Sequence, residues 1–232
     1  MKPPRPPAPK DRPRGPKPCR VEPDRILDAA AEIFSLEGLR GASLRAIAQR
    51  AGCDPALIYY HFDSKEAVFL ALMDRWIPAL QEDLTRLVDP SDTRPMSLRL
   101  WEVLRIYRRH MAHHAGLRAV VRGEVVRGAE GLQEQVAGRI RNIATKVWTL
   151  LAQGVDRGEL RPDLHPQLST FFLIRMFLEI HDWMPTFGLR VTGMPSEGAI
   201  PMAERTWFEL FWRGIAADPT QPLPELPPFS EN

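Results

Sequence analysis

The chain is predicted to be all-α, with a set of short N-terminal helices followed by a larger part built of longer helices. Three observations carry this. Apolar residues recur at helical spacing in one segment after another. No run of polar/apolar alternation lies between turn signals. Helix caps, prolines and glycines punctuate the segments at lengths suited to short connections.

The first helix is predicted over about 23–37. Ile26, Ala29, Ala30, Ile33 and Phe34 fall on one face, Pro23 suits the first turn and Gly38 suits a C-cap. A second helix follows the N-cap Ser43, buries Leu44, Ile47 and Ala48, and ends at Ala51-Gly52. A third starts at Asp54-Pro55 and closes at Phe62. Asp63 and Glu66 then have capping-box spacing and open a long fourth helix, which Pro78 should kink or interrupt. Further helices are expected at about 95–114, 116–127, 131–157, 165–184 and 198–217. Leu132, Val136, Ile140, Ile143, Val147, Leu150 and Leu151 stripe the 131–157 helix. The 165–184 segment is apolar nearly all round, which implies burial on more than one face.

Composition narrows the class. The 232 residues, 44% hydrophobic and 26% charged, suit a soluble globular chain with a real core. No apolar run approaches the roughly 20 residues of a membrane span. Prolines stand where a signal peptide would be apolar, and Cys19 and Cys53 suggest neither a disulfide framework nor a zinc site. A cytoplasmic location is expected. The net charge of +2 is unevenly placed: residues 1–20 hold seven basic residues against Asp11 alone, a net +6, and the rest sums to −4. This tail also holds eight prolines and is expected to be disordered. Residues 218–232 form a second proline-rich tail, this one acidic.

Residues 44–51, Gly52-Cys53 and 54–61 have the layout of a helix-turn-helix, whose second helix enters the major groove. The residues Arg25-Ile-Leu-Asp-Ala-Ala, Phe34, Glu37-Gly38, Ser43-Leu-Arg-Ala-Ile-Ala, Ala51-Gly52 and Ile58-Tyr-Tyr-His-Phe-Asp-Ser-Lys-Glu66 closely resemble the DNA-binding domain of the TetR (tetracycline repressor) family of transcriptional regulators, over about residues 23–76. The remainder resembles the family only in length, helical content and helix order. The domain layout expected is a DNA-binding domain over 21–66, an effector-binding and dimerisation domain over 67–217, and the two tails.

The resemblance implies a role for each matching residue. Ser43 would contact phosphate or cap the second helix, and Arg45 would reach a base edge or a phosphate. Tyr59 and His61 would lie on the DNA backbone, Tyr60 would touch bases and Lys65 would bind a phosphate. The sequence departs from the common pattern at Asp54-Pro55-Ala56-Leu57: Asp54 repels phosphate, and Leu57 offers only apolar contact, such as to a thymine methyl. Residues 21–66 carry five basic against eight acidic side chains, a poor balance for a DNA surface. The basic tail could supply the missing attraction, or serve only as a solubilising extension.

The expected function is a sequence-specific repressor, a homodimer released from a palindromic double-stranded operator by a small hydrophobic effector. The alternative is a DNA-binding dimer without an effector, whose C-terminal domain only dimerises or recruits a partner protein. The family dimerises through its last two helices, which points to Phe172, Phe177, Trp183, Trp207, Phe208, Phe211 and Trp212 as interface, although such stripes also build intramolecular cores. Effector-pocket candidates are Trp76, Trp101, Tyr107, His110, His114, Trp148, Arg175 and Met176. His110 and His114 stand at i, i+4 without the Glu of a metal-binding HExxH, so no metal is expected, and no cofactor. No phosphate loop or nucleophile elbow points to an enzyme.

Overall fold

The computed structural model describes residues 23–113 and 130–229. The basic tail, the predicted helix at 116–127 and His114 lie outside these. Among the described residues the regular secondary structure is helical, apart from one isolated antiparallel bridge between Leu160 and Ala216.

Helix α1 (Pro23–Gly41) is broken at Gly38, whose φ of 68° is the left-handed conformation that glycine adopts without a Cβ clash. Its buried face holds Ile26, Ala29, Ala30, Ile33 and Phe34, as the spacing predicts. Helix α2 (Leu44–Ala51) is capped by Ser43, whose Oγ accepts from the Ala46 amide at 3.1 Å. It stops at Gly52, again at positive φ, where the Cys53 amide reaches back to the Ala48 carbonyl. Helix α3 (Pro55–His61) has Asp54 as N-cap and Pro55 in its first turn. The three pack around Ile47 and Ile58, both fully buried.

Helix α4 (Lys65–Leu87) corrects two expectations. Its N-cap is Ser64, accepting from the Ala67 amide, rather than Asp63. The helix also runs uninterrupted through Pro78. Pro78 lies on the exposed face, where water can solvate the carbonyl that loses its partner. Phe34 meets Phe69 edge to face at 5.9 Å, which joins α1 to α4. Two adjacent residues of α4 tie it in opposite directions. Arg75 pairs with Asp28 of α1 at 2.8 Å, and Asp74 takes both Nε and Nη2 of Arg139, at 2.7 Å each, from helix α6 (Glu130–Asp156).

Helix α5 (Met96–His113) packs on α4, and α6 packs on both α4 and helix α7 (Pro166–Trp183). A π-helical turn (Met184–Gly188) carries α7 into a short helix α8 (Leu189–Thr192). Helix α9 (Ala199–Ile215) then packs against α7. Arg99 of α5, with no exposed surface, binds the chain where α4 ends. Its guanidinium donates to the Leu87 carbonyl and to Gln153 Oε1 of α6, and faces Asp92 at 3.5 Å.

The second proline-rich segment packs on the helices. Residues 222–229 turn back over α5 and α9. Leu226 is buried, and the Pro227 carbonyl accepts from Trp101 Nε1 at 2.8 Å.

Candidate nucleic-acid interface and effector region

The helix-turn-helix leaves one set of side chains outward because its buried positions use up the opposite faces of short helices. On α2, Arg45 is exposed while Leu44, Ile47 and Ala48 point inward. On α3, Ile58 is buried and Tyr59, Tyr60 and His61 are exposed. The rings of Tyr60 and His61 meet edge to face at 5.1 Å, which limits their rotation. Leu57 is half-buried against the core, so only part of it faces outward.

Lys65 closes this surface. Its Nζ donates to the carbonyls of Arg40 (2.9 Å) and Ala42 (3.2 Å), at the end of α1. That seats the ammonium one residue from Ser43 and leaves a third donor proton for an anion. Ser43 and Ser64 spend their hydroxyls on capping, and the first-turn amides of α2 and α4 retain the partial positive charge that favours phosphate. Arg50 is committed to Glu32 of α1.

The effector candidates do not converge on one place. Trp76, Trp101 and Tyr107 are buried in the common core, and burial pushes the Tyr107 phenol well above its ordinary range. His110 Nε2 lies 2.9 Å from Asp83 Oδ2 of α4. Burial acts to raise the Asp83 carboxyl, but the hydrogen bonds from His110 and Arg109 outweigh it and hold the acid below its usual range. Trp148 is half-buried on α6. Arg175 and Met176 are exposed on α7, and Arg175 pairs with Glu179 at 2.6 Å. Met176 lines an open apolar hollow of about 410 Å³ with Ile180, Trp183 and Met184.

The interface candidates divide as well. Phe177 and Phe208 have no exposed surface and belong to the protomer's own core, so neither is available to a partner in this conformation. Trp212 is likewise buried. Trp207 and Phe211, half-buried, stack on each other at 4.9 Å. Phe172 and Trp183 are exposed, and with them Leu168 and Phe171, which the sequence reading missed. That reading also missed Arg108, His181 and Glu204, because their meeting depends on how α5, α7 and α9 pack. Glu204, with no exposed surface, receives Arg108 at 3.2 Å and lies 2.8 Å from His181 Nε2.

Comparisons with known proteins agree with this architecture. Residues 26–72 match the family model for bacterial regulatory proteins of the tetR family, and residues 93–190 match a tetracyclin repressor-like C-terminal domain. The HTH-type transcriptional regulator UidR of Escherichia coli (strain K12) is 30% identical over 158 residues, spanning 67% of this chain and 76% of its own. The A-factor receptor protein of Streptomyces griseus is 28% identical over 160 residues, 67% of this chain and 52% of that protein. Among solved structures, FadR from Bacillus subtilis in complex with stearoyl-CoA superposes with a TM-score of 0.65 at 19% identity, covering 83% of this chain and 99% of FadR. SmeT, the repressor of the Stenotrophomonas maltophilia multidrug efflux pump SmeDEF, gives 0.63 at 21% identity over 90% and 98%. The chain belongs to the TetR family of helix-turn-helix transcriptional regulators, a family of DNA-binding proteins and not of enzymes.

Proposed function

We propose that the protein is a cytoplasmic repressor that binds a palindromic operator as a homodimer and releases it when a small hydrophobic effector binds the helical half. The observation that carries the DNA-binding part is the surface where Lys65, Ser43 and the amide ends of α2 and α4 meet, beside exposed Arg45, Tyr59, Tyr60 and His61. In this reading the phosphates bind at the helix ends and at Lys65, while α3 presents Tyr60 to the bases. Residues 21–66 act as the DNA-binding unit and 67–217 as the effector and dimerisation unit. Two half-sites about 34–36 Å apart require two copies, and the exposed apolar face of α7 around Leu168, Phe171, Phe172 and Met176 suits a second protomer. FadR was solved with stearoyl-CoA, an anion with an apolar tail, which supports an effector of that general character. A ligand that prefers another separation of the two α3 helices would weaken DNA binding through its differential affinity. About 2–3 kcal/mol of coupling, on the order of a hundredfold, makes a useful switch.

A second reading, a dimer without an effector, is favoured by the filled core around Trp101, Phe177 and Phe208. The test is a gel-shift titration on the DNA upstream of the protein's own gene, with random DNA as competitor, at two salt concentrations. A competitor-resistant, steeply salt-dependent shift that maps to an inverted repeat is expected. A shift no better than that of random DNA would sink the operator reading.

A further inference from the structure

The chain's own C-terminal segment fills an aromatic-lined seat on the helical half. Phe229 lies with its ring centroid 4.4 Å from Trp101 of α5 and 5.8 Å from Phe177 of α7, and the Arg108 guanidinium sits 5.0 Å over its face. Trp101 in turn packs on Phe208 of α9 at 5.0 Å. Three helices thus contribute an aromatic wall, and one ring from a non-helical segment fills it. The backbone of that segment is held by side chains: Trp101 Nε1 donates to the Pro227 carbonyl, and Arg205 Nη2 to the Leu226 carbonyl at 3.3 Å. Pro222, Pro224, Pro227 and Pro228 stiffen it, so seating it costs little conformational entropy. Its contacts are those of a docked peptide, not of a helix that completes the bundle.

The seat has a sign. A hollow of about 350 Å³ adjoins it, lined by Trp101, Arg108, Arg205 and Pro201 together with the segment itself. Two guanidiniums face this hollow and no carboxylate is among its lining residues. Glu204, fully buried, lies between Arg108 and His181 and holds the Arg108 guanidinium, and Glu225 of the segment is exposed. Arg108 is therefore braced on one side and offers its other side to whatever ring lies over it.

We propose that this seat is a binding site for a compact aromatic or branched apolar ligand with an anionic group, and that Phe229 occupies it as an internal competitor. The ring of the ligand takes the place of the Phe229 ring between Trp101 and Phe177, and its anion pairs with Arg108 and Arg205. Binding releases the C-terminal segment from α5 and α9. This assignment deepens the effector reading, on which it rests for its regulatory meaning alone.

The test titrates the full chain with 2-naphthoate by calorimetry, in the wild type, Phe229→Leu and Phe229→Ala, each checked for an unchanged melting transition. If the segment is seated about nine times in ten, emptying the seat tightens apparent binding about tenfold. Phe229→Ala is expected to reach that gain, with Phe229→Leu between it and the wild type. The neutral 2-naphthol and the cationic 2-naphthylmethylamine are expected to bind Phe229→Ala at least about tenfold more weakly than the acid does. Equal or weaker naphthoate binding by Phe229→Ala would make Phe229 a wall and not an occupant, and would overturn the proposal. Preference for the amine would overturn the charge assignment. The calorimetry contains no DNA, whereas the effector reading is scored by release of operator in the gel shift, so each can fail while the other stands.

Discussion

Tyr59 and Tyr60 of α3 and Phe171 and Phe172 of α7 are similarly exposed, at 60%, 81%, 59% and 54%, in opposite surroundings. The tyrosines stand on a short helix beside Lys65, Arg45 and two capped helix ends. Their hydroxyls can satisfy phosphates or bases while the ring stacks. The phenylalanines stand on a long helix among Leu168 and Met176 and carry no polar handle. An exposed aromatic thus implies different partners according to what accompanies it. Beside cations and amide dipoles it suits nucleic acid, and among other exposed apolar side chains it suits another protein surface.

The strongest attempt to break this contrast charges the apolar face. Phe171→Glu with Phe172→Glu is expected to give monomers in sedimentation and to weaken operator binding by about 10²–10⁴-fold, through loss of bivalent engagement. A double variant that stays dimeric would move the interface elsewhere. Next in size is Arg99→Met, which leaves the α4 end carbonyls and Gln153 without their buried partner. A loss of about 3 kcal/mol is expected in denaturant unfolding followed by tryptophan fluorescence. Residues 23–62 contain no tryptophan, so this signal reports the helical half alone.

Asp92 sharpens the contrast through pH. Its hydrogen bond from Arg94 leads the effects that lower its carboxyl from 3.8 to about 2, against the opposing pull of burial. A lowered folded value contributes stability above the unfolded pKa, and this is lost as pH falls through the folded one. Asp92→Asn is therefore expected to cost about 2 kcal/mol at pH 7, with the gap to wild type closing between about pH 4 and pH 2. A gap that does not change with pH would mean the carboxylate is not the source of the effect. The smallest effect is expected of Tyr60→Ala: operator binding about tenfold weaker with the dimer intact in sedimentation. Loss of the dimer in that variant would mean the DNA surface lies elsewhere.

The same contrast explains what could be read from the residues alone. Ser43, Gly52, Asp54 and Pro55 announce α2, the turn and α3 because capping and left-handed turns are local events spanning a few residues. The candidate DNA surface follows from them directly. The helical half is legible in its elements and not in its sites. Helices α5, α6, α7 and α9 lie where apolar periodicity places them, but periodicity cannot say which apolar face meets the chain's own core. Phe177 and Phe172, five residues apart on one apolar helix, end up fully buried and half exposed. Glu204 joins Arg108 at a sequence separation of 96, at which no local signal exists. The C-terminal segment is legible as proline-rich and acidic, whereas its docking depends on Phe229, Leu226 and two backbone carbonyls meeting side chains of α5, α7 and α9 far away in sequence.

The paired anchors at Asp74 and Arg75 have a mechanical meaning. They grip the two halves of the protomer one residue apart, immediately ahead of the one place in α4 where proline removes a backbone bond. From Pro78 to Lys65 the helix extends about 20 Å at 1.5 Å per residue. A tilt of about 10° there would carry the Lys65 end through about 3.5 Å, longer than a hydrogen bond to a phosphate. In a symmetric pair the two arms would swing together and change the distance between recognition helices by up to about 7 Å. That is roughly a fifth of the 34–36 Å between successive major grooves. A small rearrangement among α5 to α9 could thus take both recognition helices out of register with DNA without unfolding either of them.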